Sequence, residues 1–245
     1  MWDEDLSRTY NKISRYIIPE REFQYHTMVS LIPDPGQPFN LLELCCGEGL
    51  LAGRLLESFP GCTVYGMDGS TTMLDAARER LADFGDRFQP VSFDLASSGW
   101  RKPGFPVHAV LSSLAIHHLH EEQQAQLFID IFQFLSPGGV LITSDIIQPE
   151  SEQGLNYAAG VVDETVRKRS LELDGNLDVS EFFRREHWNN FRYPDQDPLD
   201  KPSSLLAQLH WLKQAGFRQV DVYWMLAGYA IFGGVRPVAK VSETS

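Results

Sequence analysis

Two adjacent imidazoles, His117 and His118, close the run Val107-His-Ala-Val-Leu-Ser-Ser-Leu-Ala-Ile-His-His-Leu119. An imidazole near its ordinary pKa can take a proton from a hydroxyl or an amine, which makes His118 the first candidate for a general base. The alternative is that one of the two rings packs or bonds to backbone. Upstream, the apolar run Leu41-Leu-Glu-Leu44 carries an acid, Glu43, and breaks into the small-residue turn Cys45-Cys46-Gly47-Glu48-Gly49. Glycines in such a turn admit unusual backbone angles and let a ligand approach the main chain. Asp68 ends a second apolar run, Cys62-Thr-Val-Tyr-Gly-Met-Asp68, nineteen residues past Gly49. An acid so placed can accept two hydrogen bonds from a ribose diol. Alone, the glycine turn fits a dinucleotide, another nucleotide or mere tight packing.

These residues need strands and helices to hold them. Strands are expected near 40–45, 63–68, 88–93, 107–112 and 139–146, with helical stretches near 49–58, 71–83 and 121–135 between them. That alternation predicts an α/β, doubly wound sheet with helices on both faces. Two further strands, near 218–225 and 228–236, are joined only by Leu226-Ala-Gly228. A link so short forces them antiparallel. The expected fold is therefore a mostly parallel seven-stranded sheet with an antiparallel C-terminal hairpin. Residues 5–31 carry apolar residues at mostly helical spacing, ended by the turn Pro33-Asp-Pro-Gly36. Residues 148–202 form a long insertion after the fifth strand, predicted to hold helices near 151–172 and 178–190 and a Pro-rich strip. Because it leaves from the carboxyl end of a strand, where ligands of open α/β sheets bind, it is read as a helical lid. Residues 1–245 are thus expected to be a single domain: cap 1–36, core 37–147, lid 148–202, and C-terminal helix and strand pair 203–245.

In order along the chain, these pieces resemble the class I S-adenosylmethionine-dependent methyltransferases. Glu43 to Gly49 is similar to the family's first motif, and Asp68-Gly69-Ser70-Thr71-Thr72-Met73 to its ribose-binding acid and the helix start after it. Phe93-Asp94-Leu95 looks like its adenine-contacting acid, and Leu135-Ser-Pro-Gly-Gly-Val its turn into the fifth strand. The resemblance implies a seven-stranded Rossmann-like domain that uses S-adenosylmethionine and releases S-adenosylhomocysteine. Carried over residue by residue, Glu43 organises the turn and the methionine amino group, while Cys45, Gly47 and Gly49 form the loop itself. Asp68 and Gly69 take the ribose, Met73 and Leu95 the adenine faces, and Asp94 the adenine amino group. Ser113 lies beside the methionine portion, and Arg15 and Tyr16 of the N-terminal helix cover the cofactor, Arg15 by pairing with the methionine carboxylate. Two positions depart from the pattern. Cys45 replaces a usual glycine and is expected to have negative φ, and His108 stands where an Asp commonly opens the fourth strand.

Composition bounds the partners. A net charge of −12 on 245 residues, with twelve acids against seven bases in residues 148–202, opposes a phosphate backbone, so no DNA partner is expected. Tyr10, His187, Trp188 and Tyr193, with Asp195 and Asp197 nearby, are the candidates for gripping a flat or cationic small molecule. Cys45, Cys46 and Cys62 have neither disulfide-framework nor Cys-x-x-Cys spacing, so small buried thiols and no metal site are expected. No run reaches the length of a membrane span, and the acidic start lacks a signal-peptide pattern, which suggests a cytoplasmic enzyme. The reading is methyl transfer to a small-molecule acceptor, at oxygen or nitrogen. Its rivals are a nicotinamide-dependent oxidoreductase and a non-catalytic cofactor-binding subunit.

Overall fold

The computed structural model describes residues 4–194 and 199–238. Seven strands, β1 (Phe39–Leu44), β2 (Cys62–Asp68), β3 (Phe88–Ser92), β4 (Val107–Ser113), β5 (Leu135–Ile146), β6 (Arg218–Leu226) and β7 (Tyr229–Val235), form one sheet in the order β3-β2-β1-β4-β5-β7-β6. The first five are mutually parallel, and β7 runs antiparallel between β5 and β6. Leu41, Leu44, Val64, Val110, Leu111 and Leu141 are buried because helices cover both faces of these inner strands. The strand order reverses between β1 and β4, and at such a switch point the following loops part to leave a crevice. The glycine turn follows β1 and the paired histidines follow β4, so both motifs reach that crevice.

The turn out of β1 differs from expectation at one residue. Cys45 has φ 54, a left-handed conformation, as do Gly47 at 55 and Gly49 at 78. The cause is a constraint on the next residue: the Cys46 amide donates to the carbonyl of Met67 on β2 at 2.9 Å, so the chain must leave β1 at once. A non-glycine residue there stores roughly 1–2 kcal/mol of strain, which the surrounding sheet sustains. Gly49 then starts α3 (Leu50–Ser58), and a Cβ on it would lie 2.9 Å from Leu81 Cδ1 and 3.2 Å from Ala77 Cβ. Its missing side chain therefore serves the packing of α3 against α4 (Thr71–Arg80).

The N-terminal helical stretch is broken in two. α1 (Glu4–Ile17) stops before Ile18-Pro19, Glu20 turns with φ 48, and α2 (Arg21–Ser30) follows. Proline cannot continue a helix interior, because it lacks the amide and clashes with the preceding turn. Polar contacts at three places help to hold this cap. Glu4 accepts from the Thr71 and Thr72 amides and the Ser70 and Thr71 hydroxyls at the N-terminus of α4, where a negative charge meets the helix dipole. The Ser144 hydroxyl on β5 donates to Gln24 Oε1 at 2.6 Å. Tyr16 donates to Asp174 at 2.7 Å, at the end of α6 (Glu152–Asp174).

After α5 (Glu121–Phe134), β5 begins at Leu135, earlier than its apolar run suggests, because Leu135 already pairs with Val107. The insertion holds α6 and α7 (Asp178–Arg185), the latter shorter than expected. Ala158, Val162, Val166, Phe183 and Phe191 pack there on Ile146 and Tyr229 of the sheet. The insertion ends where it began: the Gln148 amide donates to the Ser203 carbonyl at 3.0 Å, just before α8 (Leu205–Ala215). Ala227 and Gly228, both at positive φ, turn β6 into β7. Among the described residues no helix is long and apolar enough to cross a membrane.

Two substitutions test this account. Gly233 on β7 faces Ile142, and a Cβ on it would sit 2.1 Å from the Leu141 carbonyl oxygen. Gly233→Ala is expected to lower the unfolding free energy by at least about 1–3 kcal/mol in urea titration. Cys45→Gly should relieve backbone strain and leave stability unchanged or up to about 1 kcal/mol higher, whereas Cys45→Val should lower it. Equal midpoints for the glycine and valine variants would remove the left-handed assignment.

Candidate active site

At the β1 end of the crevice, two carboxyls flank the glycine turn. Asp68 accepts the Gly47 amide on Oδ2 and the Ser70 amide on Oδ1, both at 2.9 Å, which ties the turn after β1 to the turn after β2. Burial pushes its pKa up, and the amides of Ser70, Gly47 and Gly69 oppose that shift. Glu43 is 2% exposed, and its Oε2 has no protein partner, while an Ala52 amide bonds the carboxyl. Burial, joined by the charge of Asp68, raises its pKa well above the carboxylate range. Gly47 is open: a Cβ there would meet nothing nearer than Met73 Sδ, at 4.0 Å. The N-terminus of α3 has no cap from its N-cap residue Gly49, and of its first-turn amides that of Ala52 is taken by Glu43, which leaves those of Leu50 and Leu51 toward the crevice.

The remaining expected cofactor residues fall around this turn. Met73 is buried at the start of α4, and the Ser70 hydroxyl caps that helix by accepting the Met73 amide. Leu95 is half-buried, and the Asp94 carboxylate faces solvent, accepting the Ala96 amide at 2.9 Å. A Cβ on Gly69 would lie 3.2 Å from the Phe93 carbonyl, so the two turns pass closely. Ser113 ends β4 beside Ser144, and Leu114 then turns with φ 56. Arg15 does not stand free for a carboxylate. Its guanidinium donates to Tyr16 and lies 3.7 Å from Asp174, and Tyr16 is 2% exposed, so the pair fastens α1 to the lid. Arg21, which carried no sequence signal, projects its charge onto Tyr10 and Tyr25 and lines, together with Arg15, a pocket of about 500 Å³ beside Glu48 and Leu50.

At the β4–β5 end the histidines meet two aspartates that sequence reading did not single out. His117 Nδ1 lies 2.5 Å from Asp145 Oδ1, and the His117 amide donates to Asp145 Oδ2 at 3.1 Å. On its other side, His117 Nε2 lies 3.3 Å from Asp200 Oδ1, and the same oxygen lies 3.1 Å from His118 Nδ1. Burial works against a charged His117, but Asp145 and Asp200 outweigh it and push the pKa up to about 10. Against the cost of its own burial, hydrogen bonds from His117 and His118 hold Asp200 well below the usual carboxylate range. Asn190 donates to the second oxygen of Asp200. Tyr10 and Tyr229 complete the wall. Burial pushes Tyr10 up to about 12, with the charges of Arg21, Glu48 and Asp200 acting on it. Tyr229 is raised by burial and by Tyr10, Asp200 and Asp145. Both phenols therefore keep their protons.

The lid candidates divide. His187 and Tyr193 place their rings 4.2 Å apart and are committed to each other, with His187 exposed at φ 57. Trp188 packs against the lid cluster. Asp195 and Asp197 lie outside the described residues. All three cysteines are free thiols, and burial raises the pKa of each.

Residues 41–139 match a family model described as a methyltransferase domain. An uncharacterised methyltransferase of Bacillus cytotoxicus is 29% identical over 148 residues, 60% of this chain and 63% of that protein. The trans-aconitate 2-methyltransferase of Rhizobium meliloti is 27% identical over 216 residues, 81% of this chain and 76% of that one. Among solved structures, an O-methyltransferase family protein from Burkholderia thailandensis superposes with a TM-score of 0.65 at 16% identity, covering 97% of this chain and 61% of that chain. Human N-acetylserotonin methyltransferase, solved with S-adenosylmethionine, gives 0.57 at 14% identity, covering 96% of this chain and 60% of that chain. The chain thus spans less than two thirds of the Bacillus relative and of both solved chains. The sheet order, the antiparallel hairpin, the glycine turn with its two acids and the matched model agree on one assignment: residues 41–139 form a methyltransferase domain, and the chain has the fold of the class I S-adenosylmethionine-dependent methyltransferases.

Proposed function

We propose that the chain transfers a methyl group from S-adenosylmethionine to an oxygen or nitrogen of a small molecule, with S-adenosylhomocysteine as product. The observation that carries this reading is the open left-handed turn at Gly47, flanked by Asp68 and by a buried Glu43 oxygen without a protein partner. That arrangement suits a ligand carrying a diol and an ammonium group. When bound, S-adenosylmethionine supplies a methyl on a sulfonium, which is already an activated leaving group. The chain has to hold the acceptor in line with that methyl and exclude water.

Cys45 and Gly47 offer the main chain, Asp68 with Gly69 the ribose contact, and Met73 and Leu95 the adenine faces. Asp94 meets the adenine amino group, Ser113 the methionine portion, and Arg21 takes the carboxylate role first assigned to Arg15. On the acceptor side Tyr10 and Tyr229, both protonated, donate to an acceptor oxygen, and His118 with Asp200 stands where the acceptor's proton leaves. The lid, with His187, Trp188 and Tyr193, selects the acceptor. A small molecule fits the net charge of −12, which repels a phosphate backbone. The Rhizobium relative is likewise named for a small acceptor, trans-aconitate.

Calorimetric titration tests the cofactor assignment. Asp68→Ala removes charge-assisted hydrogen bonds worth roughly 1.5–3 kcal/mol each, so affinity for S-adenosylmethionine should fall at least about tenfold in a variant that keeps its circular dichroism spectrum. Unchanged affinity would remove Asp68 from the site. Binding of a nicotinamide cofactor in place of S-adenosylmethionine would select the oxidoreductase, and methyl turnover by the isolated chain would dismiss a non-catalytic subunit.

A further inference from the structure

The two histidines and the aspartate between them form more than a hydrogen-bonded cluster. His117 Nε2, His118 Nδ1 and an Asp200 oxygen lie within 4.8 Å of one another. The two nitrogens stand 3.3 and 3.1 Å from the same Asp200 oxygen. Ligand atoms bound at about 2.0–2.2 Å to one ion, at angles between a right angle and the tetrahedral value, are themselves about 3.0–3.4 Å apart. Each donor also has an outer partner that aims it. Asp145 takes His117 Nδ1 at 2.5 Å, which turns Nε2 toward Asp200, and Asn190 holds the other oxygen of Asp200. A carboxylate behind a ligating imidazole is the usual way in which proteins fix the tautomer and orientation of a metal-binding histidine.

Charge points the same way. Asp145 is fully buried, Asp200 is 12% exposed, and buried carboxylates require compensation. Lys201 lies nearby, but its Nζ donates to the carbonyls of His118 and Leu199.

We propose that His117, His118 and Asp200 bind one divalent transition-metal ion of the zinc class, with Asp145 and Asn190 as its outer shell. Two imidazoles and one carboxylate suit zinc, cobalt, nickel or iron(II) better than magnesium or calcium, which prefer oxygen ligands. Three protein ligands leave a position for an oxygen of the acceptor, beside the phenols of Tyr10 and Tyr229. An ion there would lower the pKa of a bound hydroxyl, and His118 would then serve as a ligand in place of the proton-accepting role given above. The cysteine spacing showed no metal site because the ligands here are a histidine pair and a distant aspartate.

The test needs no cofactor and no acceptor, so it stands or falls apart from the methyl-transfer reading. The full chain is stripped with a chelator and titrated with Zn2+ by calorimetry and with Co2+ by visible absorption. One ion per chain should bind with micromolar or tighter affinity. Cobalt should give ligand-field bands without the intense near-ultraviolet band of thiolate ligation, and Cys45→Ser should bind as the parent does. Asp145→Asn should weaken binding by about 10–100-fold. Asp200→Asn and His118→Ala should weaken it more. If Asp200→Asn fails to fold, His118→Ala carries the test, since that side chain is 29% exposed. Binding well below one equivalent, a thiolate band lost in Cys45→Ser, or unchanged affinity in folded His118→Ala would each overturn the proposal.

Discussion

A fully buried carboxylate at the end of β5 sets the terms for everything around the crevice. Asp145 has no water to solvate it, and leaving such a group uncompensated costs several kcal/mol. Its partners are the ring and amide of His117 and the amide of Ile146. The turn after β4 must therefore fold back onto β5 instead of running straight into α5. Once His117 is drawn in, its far nitrogen faces Asp200, and the Lys201 amide donates to the His117 carbonyl at 2.7 Å. The returning segment of the insertion is thereby pinned across the histidine pair. One buried charge thus orders a turn, a strip of chain and the wall between them.

Much of the framework could be read from residue order. The runs around Leu41, Val64, Val110 and Leu141 announce buried strands, and Ala227-Gly228 leaves its flanking strands no geometry except an antiparallel one. Asp68 and the glycine turn were recognisable because their partners are local or lie on a neighbouring strand. The acceptor side was not readable in the same way. Asp145 and Asp200 stand 28 and 83 residues from His117, and no periodicity links a strand end to a position in a Pro-rich strip. Cys45 misled for a different reason. Residue type argues against left-handed backbone, but the amide of the next residue is claimed by β2, and that hydrogen bond decides the conformation. The pairing of Arg15 with Asp174 was not readable because the two lie far apart along the chain.

The cap is held differently from the sheet. Glu4, on the outer end of α1, and the Arg15–Asp174 ion pair are partly or largely exposed, and such contacts are individually weak and screened by salt. The Gln24–Ser144 bond is buried and anchors α2 to β5 firmly. α1 is thus tied to α4 and α6 by weaker contacts than the one that seats α2, and Pro19 with the left-handed Glu20 lies where the two helices join.

The meeting of Gln148 with Ser203 has a consequence for how such a chain diversifies. Because the insertion leaves and returns at one hydrogen-bonded point, the sheet experiences it as a closed loop attached at a single joint. Lengthening a loop whose ends are already fixed adds only a slowly growing entropic cost. A helix lengthened within the insertion need not disturb any register in the strands. The socket is Gly228 at the hairpin tip, against which Phe191 of the insertion lodges, and any altered insertion would have to present a comparable ring there.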